Sequence, residues 1–154
     1  MQQGEIVAFD TDMVGPYGYC ADISRAFVCG NKFNEHQKKI YLTAVEQIDY
    51  NSRLIKDGVS FREFTEKAWI LPEKYYGNRY SVMLHGIGLC DEWPAIRYPT
   101  DGGERGGIFQ KNMTITLESY IGEVGGHEGV KLEQQYLVGE NGLELMSHHP
   151  LEQI

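Results

Sequence analysis

Long hydrophobic runs are missing from this sequence of 154 residues. No apolar stretch approaches the roughly 20 residues that a membrane-spanning helix requires, so we do not expect a membrane protein. The first ten residues, MQQGEIVAFD, lack the basic region and apolar stretch of a secretory signal. Cysteine is scarce, with three residues and no CxxC or zinc-ligand spacing. An odd number of isolated cysteines is typical of a reducing compartment, and we therefore predict a cytoplasmic location.

Positive charge is also in short supply. The 14 lysines and arginines are outnumbered by 22 acidic residues, which gives a net charge of −8 at pH 7. This imbalance argues against nucleic acid and against an anionic membrane surface as partners. The glycine-rich segment DGGERGG lacks the GK[ST] ending of a phosphate-binding loop, and we interpret it as a connection.

The length and the 42% of hydrophobic residues suffice for one globular core, so residues 1–154 are predicted to form a single domain. Strand-like and helix-like patterns are interleaved along the chain, which favours an α+β fold. The predicted elements are a β-hairpin around Gly15–Gly18, a helix over 34–57, a helix that begins with a capping box at Ser60–Glu63 and ends by Pro72, strands over 80–89 and 112–121, and a hairpin over 129–146 that turns at Asn141–Gly142.

The first hairpin carries acidic residues where apolar ones are expected. Asp10 and Asp12 occupy alternate positions of one strand and therefore share a face. The return strand brings Asp22 back roughly opposite this pair. Two like charges about 4 Å apart repel by about 4 kcal/mol at an effective dielectric constant of about 20. A divalent cation would offset this repulsion, whereas the plainer alternative is a solvated strand edge with ordinary surface acids.

Three more polar residues interrupt strands that otherwise look buried. They are His85 in VMLHGIG, Glu118 in TITLESY and Glu133 in GVKLEQQYL. Isolated buried carboxylates are rare unless they are paired or bound to a metal. Together with the hairpin aspartates, these residues form a set of oxygen ligands and one imidazole that could hold two divalent ions.

The order and spacing of this set resemble the pita-bread superfamily of methionine aminopeptidase, aminopeptidase P, prolidase and creatinase. The resemblance runs from residue 4 to about residue 147, and it implies a catalytic domain with a curved antiparallel sheet flanked by helices. In the metallopeptidases of this superfamily, two aspartates, one histidine and two glutamates hold two divalent metal ions. The implied metal ligands here are Asp22, His85, Glu118 and Glu133, with Asp10 and Asp12 both candidates for the first aspartate.

The departures from the peptidase pattern point to one branch of the superfamily. Peptidases carry a second histidine shortly after HGIG, whereas this sequence reads HGIGLCDEWPAI, with Asp91 and Glu92 there. The peptidase motifs EPG and IED are replaced by ESY and LEQ. This combination resembles the dimethylsulfoniopropionate lyases of the DddP type, which cleave their substrate to dimethyl sulfide and acrylate by β-elimination.

The resemblance to this lyase branch implies roles for individual residues. Asp91 is the expected general base, and Tyr80 shares that role or orients the substrate. The aromatic residues Tyr80, Trp93 and Tyr120 would suit a sulfonium cation in an acidic pocket. Iron is the favoured metal because the ligands are mostly hard oxygens, and manganese, cobalt and zinc are the alternatives.

Two other functions stay open at this point. The ligand set also permits a Xaa-Pro dipeptidase or aminopeptidase, and some superfamily members are non-catalytic binding modules. The substrate is expected to be a small molecule in any catalytic case. The superfamily's catalytic domain has two similar halves, and this sequence starts at the metal-binding hairpin. The sequence is therefore expected to be a partial domain, or to be completed by a neighbouring chain in a homodimer.

Overall fold

The computed structural model describes residues 1–30, 32–151 and 154. The chain begins with a two-stranded antiparallel hairpin of β1 (Ile6–Val14) and β2 (Cys20–Val28), joined by a 3-10 turn at Pro16–Gly18. The expected first hairpin is thus confirmed. Its register places Asp12 opposite Asp22 and Asp10 opposite Ser24. The hairpin therefore presents its acidic residues as one cross-strand group.

Helix α1 (Glu35–Ser52) follows the hairpin and begins with a capping box. The Asn34 side chain accepts a hydrogen bond from the Gln37 N–H, and the Gln37 side chain accepts one from the Asn34 N–H. The helix ends before the predicted residue 57. The apolar pattern misled the prediction because Ile55 is still buried, although it lies in the turn after the helix.

Two short helices follow, α2 (Phe61–Lys67) and α3 (Glu73–Tyr76). Ser60 caps α2 by accepting a hydrogen bond from the Glu63 N–H, as predicted. The Glu63 carboxylate pairs with Lys67 at 2.7 Å, so it is directed away from the cap position that a full capping box requires. The four residues of α3 lie after Pro72 and were not predicted.

The rest of the chain forms a five-stranded antiparallel sheet. Its strands are β3 (Val82–Gly86), β4 (Ala95–Arg97), β5 (Thr114–Gly122), β6 (Gly129–Val138) and β7 (Leu143–Leu145), in the spatial order β4-β3-β5-β6-β7. The two predicted strands and the predicted β6–β7 hairpin are therefore present, and β4 is an addition. The segment DGGERGG begins at Asp101, the last residue of a 3-10 turn at Pro99–Asp101, and is otherwise a loop.

The hydrophobic core lies between α1 and one face of the large sheet. Its largest fully buried side chains include Tyr41, Phe64, Phe109, Leu117 and Leu132. The architecture is α+β, as the sequence predicted. None of the helices in the described part of the chain has the length and apolar character needed to cross a bilayer.

A buried arginine joins the hairpin to the sheet. Arg25 on β2 is 4% exposed, and its guanidinium donates to the Glu133 carbonyl at 2.6 Å and to Gln134 Oε1 at 2.6 Å. It also donates to the carbonyls of His149 and Pro150 in the C-terminal segment. These bonds hold β2 against β6, which brings the acidic residues of both strands together.

Candidate metal centre and active site

The strand registers place the polar residues of the sheet on one face. Glu118 on β5 is directly opposite Glu133 on β6, and His85 on β3 is directly opposite Thr116 on β5. Thr116 and Glu118 are alternate residues of one strand, so all four side chains share a face. Packing of β2 against β6 adds Asp22 to this face, and the result is a single polar cluster inside the fold.

His85 lies at the middle of this cluster. Its Nε2 is 3.3 Å from Oε1 of Glu118, 3.5 Å from Oε1 of Glu133 and 3.7 Å from Oδ2 of Asp22. The Nδ1 atom on the other side of the ring is 3.1 Å from the Gly86 carbonyl oxygen. The carbonyl of the next residue, Gly86, therefore orients the ring, and Nε2 is directed at the carboxylates.

The buried part of the cluster fits a divalent cation. One ligand atom from each of Asp22, His85 and Glu133 lies within 4.8 Å of the others, and all three residues are buried. Among the described residues, the buried Oδ1 of Asp22 has no hydrogen-bond partner. Buried carboxylate oxygens normally have partners, and oxygen and imidazole donors suit a divalent metal ion. The donor set and the unpartnered oxygen are what a metal centre requires.

A second acidic group continues from the first toward the solvent. Carboxylate oxygens of Asp12, Asp22 and Asp91 lie within 4.8 Å of one another. Asp12 and Asp91 are exposed, whereas Asp22 is buried and belongs to both groups. Asp91 is in the loop after β3, and its Oδ1 accepts a hydrogen bond from the Glu92 N–H at 2.9 Å. The expected general base thus lies beside the expected ligands.

The electrostatics of the cluster reflect crowded carboxylates. Burial, together with the charges of Glu133 and Asp12, raises the pKa of Asp22 to about 9. Burial also raises the pKa of Glu118. Burial alone would lower the pKa of His85, but hydrogen bonds to Glu118 and Glu133 raise it to about 10. Without a metal, both His85 and Asp22 therefore hold a proton at neutral pH.

Glu133 differs from Asp22 and Glu118 because its pKa is lowered. Burial opposes its charge, but His85, Lys131 and Thr116 outweigh burial and lower the pKa of Glu133 to about 2. Thr116 donates a short hydrogen bond to Glu133 Oε1, and Ser24 Oγ donates to Glu133 Oε2 at 3.0 Å. Ser24 Oγ is also within hydrogen-bond distance of Asp10 Oδ1, so its single proton can serve either the exposed or the buried carboxylate.

The prediction from sequence missed three residues of the site, Ser24, Thr116 and Lys131. Each lies two positions from a predicted ligand on the same strand, namely Asp22, Glu118 or Glu133. Alternate residues of a strand share a face, so the two-residue period could have identified all three. Lys131 is the largest omission, because its Nζ lies 2.6 Å from Glu118 Oε2 and 3.4 Å from Asp10 Oδ2.

The aromatic residues expected to bind substrate lie at different places. Tyr80 is beside the cluster, with its ring centroid 4.9 Å from Lys131 Nζ. Partial burial and the charges of Glu118 and Glu92 raise the pKa of its phenol. Trp93 is 56% exposed and lines an apolar cavity of about 160 Å³ with Leu84, on the face of β3 opposite His85.

Tyr120 shares the face of Glu118 but is directed along the sheet. Its hydroxyl lies over Gly129 of β6, where the Cβ of any larger residue would collide with it. Tyr80 is thus the aromatic residue whose described contacts lie within the acidic cluster. The contacts described for Trp93 and Tyr120 lie outside it.

Comparison with known proteins identifies the family. Residues 1–140 match the sequence profile of metallopeptidase family M24. The chain belongs to this family. The M24 chain is 37% identical over 155 aligned residues to "Dimethylsulfoniopropionate lyase DddP" of Roseobacter denitrificans and 36% identical to the protein of the same name from Roseovarius nubinhibens. The alignments cover 98% and 99% of this chain and 34% and 35% of those proteins. The chain therefore spans about a third of the length of these relatives.

Solved structures resemble the M24 chain over its whole length. The prolidase of Pyrococcus horikoshii aligns with a TM-score of 0.81 and 28% identity, covering 100% of this chain and 43% of the prolidase. The prolidase of Pyrococcus furiosus aligns with a TM-score of 0.78 and 29% identity, covering 99% of this chain and 43% of that protein. The predicted pita-bread fold and the predicted kinship to DddP are thereby confirmed.

Proposed function

We propose that this M24 chain carries the active site of a metal-dependent lyase that cleaves dimethylsulfoniopropionate to dimethyl sulfide and acrylate. The observation that carries the proposal is the position of Asp91, whose carboxylate lies within 4.8 Å of ligand atoms of Asp12 and Asp22. The peptidase pattern has a histidine in this segment. A carboxylate beside the metal ligands is suited to accept a proton from a substrate bound there. The two DddP relatives support this assignment.

The residues proposed to hold two divalent cations are Asp10, Asp12, Asp22, His85, Glu118 and Glu133. Their hard oxygen donors and single imidazole favour iron, with manganese, cobalt and zinc as alternatives. When bound, such cations supply positive charge that stabilises the negative charge developing on the substrate carboxylate as its α-proton leaves. The protein residues then have to orient the substrate and accept its α-proton.

Asp91 is the proposed general base for the elimination. Its carboxylate accepts the proton on the carbon α to the substrate carboxylate, and the electron pair of that C–H bond forms the carbon–carbon double bond. The bond between the β-carbon and sulfur breaks, and its electrons remain on sulfur. The sulfonium therefore leaves as neutral dimethyl sulfide, and acrylate remains in the site. The exposure of Asp91 leaves a path for the proton to reach solvent.

Tyr80 is proposed to orient the substrate. The raised pKa of its phenol keeps the hydroxyl protonated at neutral pH, which favours hydrogen-bond donation over proton removal. Trp93 and Tyr120 stay contacts of the sulfonium that the sequence alone predicts, because their contacts in the structure lie outside the acidic cluster. A small-molecule substrate and a homodimer are part of the same proposal, and light scattering on the full polypeptide measures the oligomeric state.

A Xaa-Pro dipeptidase is the second candidate, and the structural likeness to prolidases favours it. The ligand set is common to both reactions, but the second histidine of the peptidase pattern is replaced by Asp91 and Glu92. A non-catalytic binding module is the third candidate. It has no physical need for five carboxylates that converge, since their repulsion destabilises a protein without a cation.

One experiment separates these functions. The protein is loaded with iron or manganese and assayed for dimethyl sulfide release from dimethylsulfoniopropionate. Parallel reactions contain the dipeptides Gly-Pro and Ala-Pro. Dimethyl sulfide without dipeptide cleavage is the expected result. Dipeptide cleavage alone would favour the peptidase, and metal-loaded protein inactive on all three substrates would favour the binding module.

A further inference from the structure

Two side-chain nitrogens bridge the same pair of glutamates, and each contacts a different oxygen of each carboxylate. His85 Nε2 lies 3.3 Å from Glu118 Oε1 and 3.5 Å from Glu133 Oε1. Lys131 Nζ lies 2.6 Å from Glu118 Oε2 and 3.7 Å from Glu133 Oε2. One oxygen of each glutamate is therefore next to the imidazole, and the other is next to the ammonium.

The ammonium group of Lys131 has further contacts within the site. Asp10 Oδ2 lies 3.4 Å from Nζ, and Ser24 Oγ lies 3.2 Å from it. The Lys131 side chain is only 12% exposed, and Glu118 and Glu133 are 2% and 0% exposed. A lysine with so little solvent and three carboxylates around its nitrogen differs from an ordinary surface ion pair, which contributes little.

The oxygens that Lys131 contacts belong to residues proposed as metal ligands. An ammonium on a carboxylate oxygen places a full positive charge beside the position of a divalent cation, unlike the neutral hydroxyl of Thr116 on Glu133 Oε1. A fixed positive charge this close also repels an incoming cation. We propose that Lys131 is the resident cation of the metal-free centre, where it holds Glu118, Glu133 and Asp10 together and competes with divalent metal for their oxygens.

Two measurable effects follow, and thermodynamic linkage connects them. A residue that stabilises the metal-free protein more than the metal-bound protein weakens metal binding. The loss of binding free energy equals the difference between its two stabilising effects. Removing the ammonium should therefore destabilise the metal-free protein and strengthen its binding of metal. A lysine that only positioned Glu118 for coordination would act in the opposite sense on metal affinity.

The test compares Lys131→Met and Lys131→Gln with the unmodified protein. Lys111→Met is the matched control, because Lys111 pairs with Glu140 on the surface, where both side chains are more than half exposed. The melting temperature is measured in chelator, and Mn²⁺ binding is measured by titration calorimetry. We expect a lower melting temperature in chelator and a Kd for Mn²⁺ that is about tenfold lower or more in both Lys131 variants. Lys111→Met should match the unmodified protein in both measurements.

The inference rests on the metal centre of the proposed function, and the outcomes distinguish the two. Weaker or unchanged Mn²⁺ binding by the Lys131 variants, with normal binding by the unmodified protein, would overturn the role of Lys131 alone. Absence of Mn²⁺ binding by the unmodified protein would overturn the metal centre together with the competition. If Lys131→Met is unfolded in chelator, folding on addition of Mn²⁺ supports the proposal. If it stays unfolded with Mn²⁺, the Kd of Lys131→Gln decides.

Discussion

Nε2 of His85 lies 3.7 Å from Oδ2 of Asp22, although His85 is on the large sheet and Asp22 is on the hairpin. The contact depends on the packing of β2 against β6, which the buried Arg25 holds in place. Metal–oxygen and metal–nitrogen bonds are roughly 2.0 to 2.3 Å long, so one cation between the two atoms could reach both. The candidate metal centre therefore depends on contact between the hairpin and the large sheet.

Replacement of Asp91 tests the proposed general base. Asp91→Asn keeps the shape of the side chain but removes its capacity to accept a proton. We expect dimethyl sulfide release to fall by about 10² to 10⁴-fold, mainly in kcat, with metal content unchanged. The control is Glu73→Gln, an exposed acid on α3. Near-normal release from Asp91→Asn would contradict the mechanism, and loss of metal would indicate that Asp91 is a ligand.

Metal binding should release protons. His85 and Asp22, with pKa values of about 10 and about 9, hold protons at pH 7 in the metal-free protein, whereas ligands to a metal are deprotonated. We expect about two protons to leave when both residues coordinate metal. Titration calorimetry in two buffers of different ionisation enthalpy measures this number. A binding heat that does not depend on the buffer would argue against coordination by these residues.

Removal of metal should lower the melting temperature at neutral pH. A ligand that binds only the folded state at 100 times its Kd stabilises that state by about 2.7 kcal/mol. Chelation removes this stabilisation, and added Mn²⁺ should restore it. Scanning calorimetry with and without chelator measures the change. An unchanged melting temperature would mean that the folded protein does not bind the metal tightly.

The metal-free protein should lose stability as the pH rises. The pKa of His85 is raised from 6.5 to about 10, and that of Asp22 is raised from 3.8 to about 9. Between pH 6.5 and about 9, the folded state therefore binds more protons than the unfolded state. Each such proton lowers the free energy of unfolding by about 1.4 kcal/mol per pH unit. Urea unfolding in chelator at pH 6.5, 7.5 and 8.5 should show this decline, and a flat profile would contradict it.

The hydroxyl of Thr116 should support metal binding through Glu133. Thr116→Val keeps the shape but removes the donor to Glu133 Oε1, so the carboxylate is less firmly oriented. We expect metal affinity to fall by about 10 to 100-fold. Thr43→Val is the matched control, because Thr43 lies on α1 and its hydroxyl donates to the Lys39 carbonyl in a solvent-exposed hydrogen bond. Equal affinities of the two variants would exclude a role for this hydroxyl at the metal centre.

The sequence predicts those residues of the site that a pattern within a single strand reveals, and it does not predict contacts between distant segments. Asp10, Asp12, His85, Glu118 and Glu133 could be found because each is a polar residue in an apolar strand. Lys131 could also have been inferred, since it shares a strand face with Glu118's partner Glu133. The contact between Lys131 and Asp10 could not have been inferred, because Asp10 belongs to the separate hairpin.

The same distinction holds for the fold. The end of α1 was predicted beyond Ser52 because the apolar pattern persists to Ile55, although the chain has already turned. A pattern of burial records which residues face the core and does not record whether the backbone is still helical there. The pairing of β3 with β5, which places His85 beside Glu118, likewise joins strands separated by β4 and a long loop.

The sequence by itself determined the α+β order, the strand faces and the acidic residues that share them, because a two-residue period and turn residues act over short distances. Only the tertiary structure decided that β2 packs on β6, that Asp91 returns to Asp12 and Asp22, and that Lys131 lies among three carboxylates. These relationships come from contacts between residues far apart in the chain. Local preferences are compatible with many such arrangements, and burial of one core with its polar groups paired selects among them.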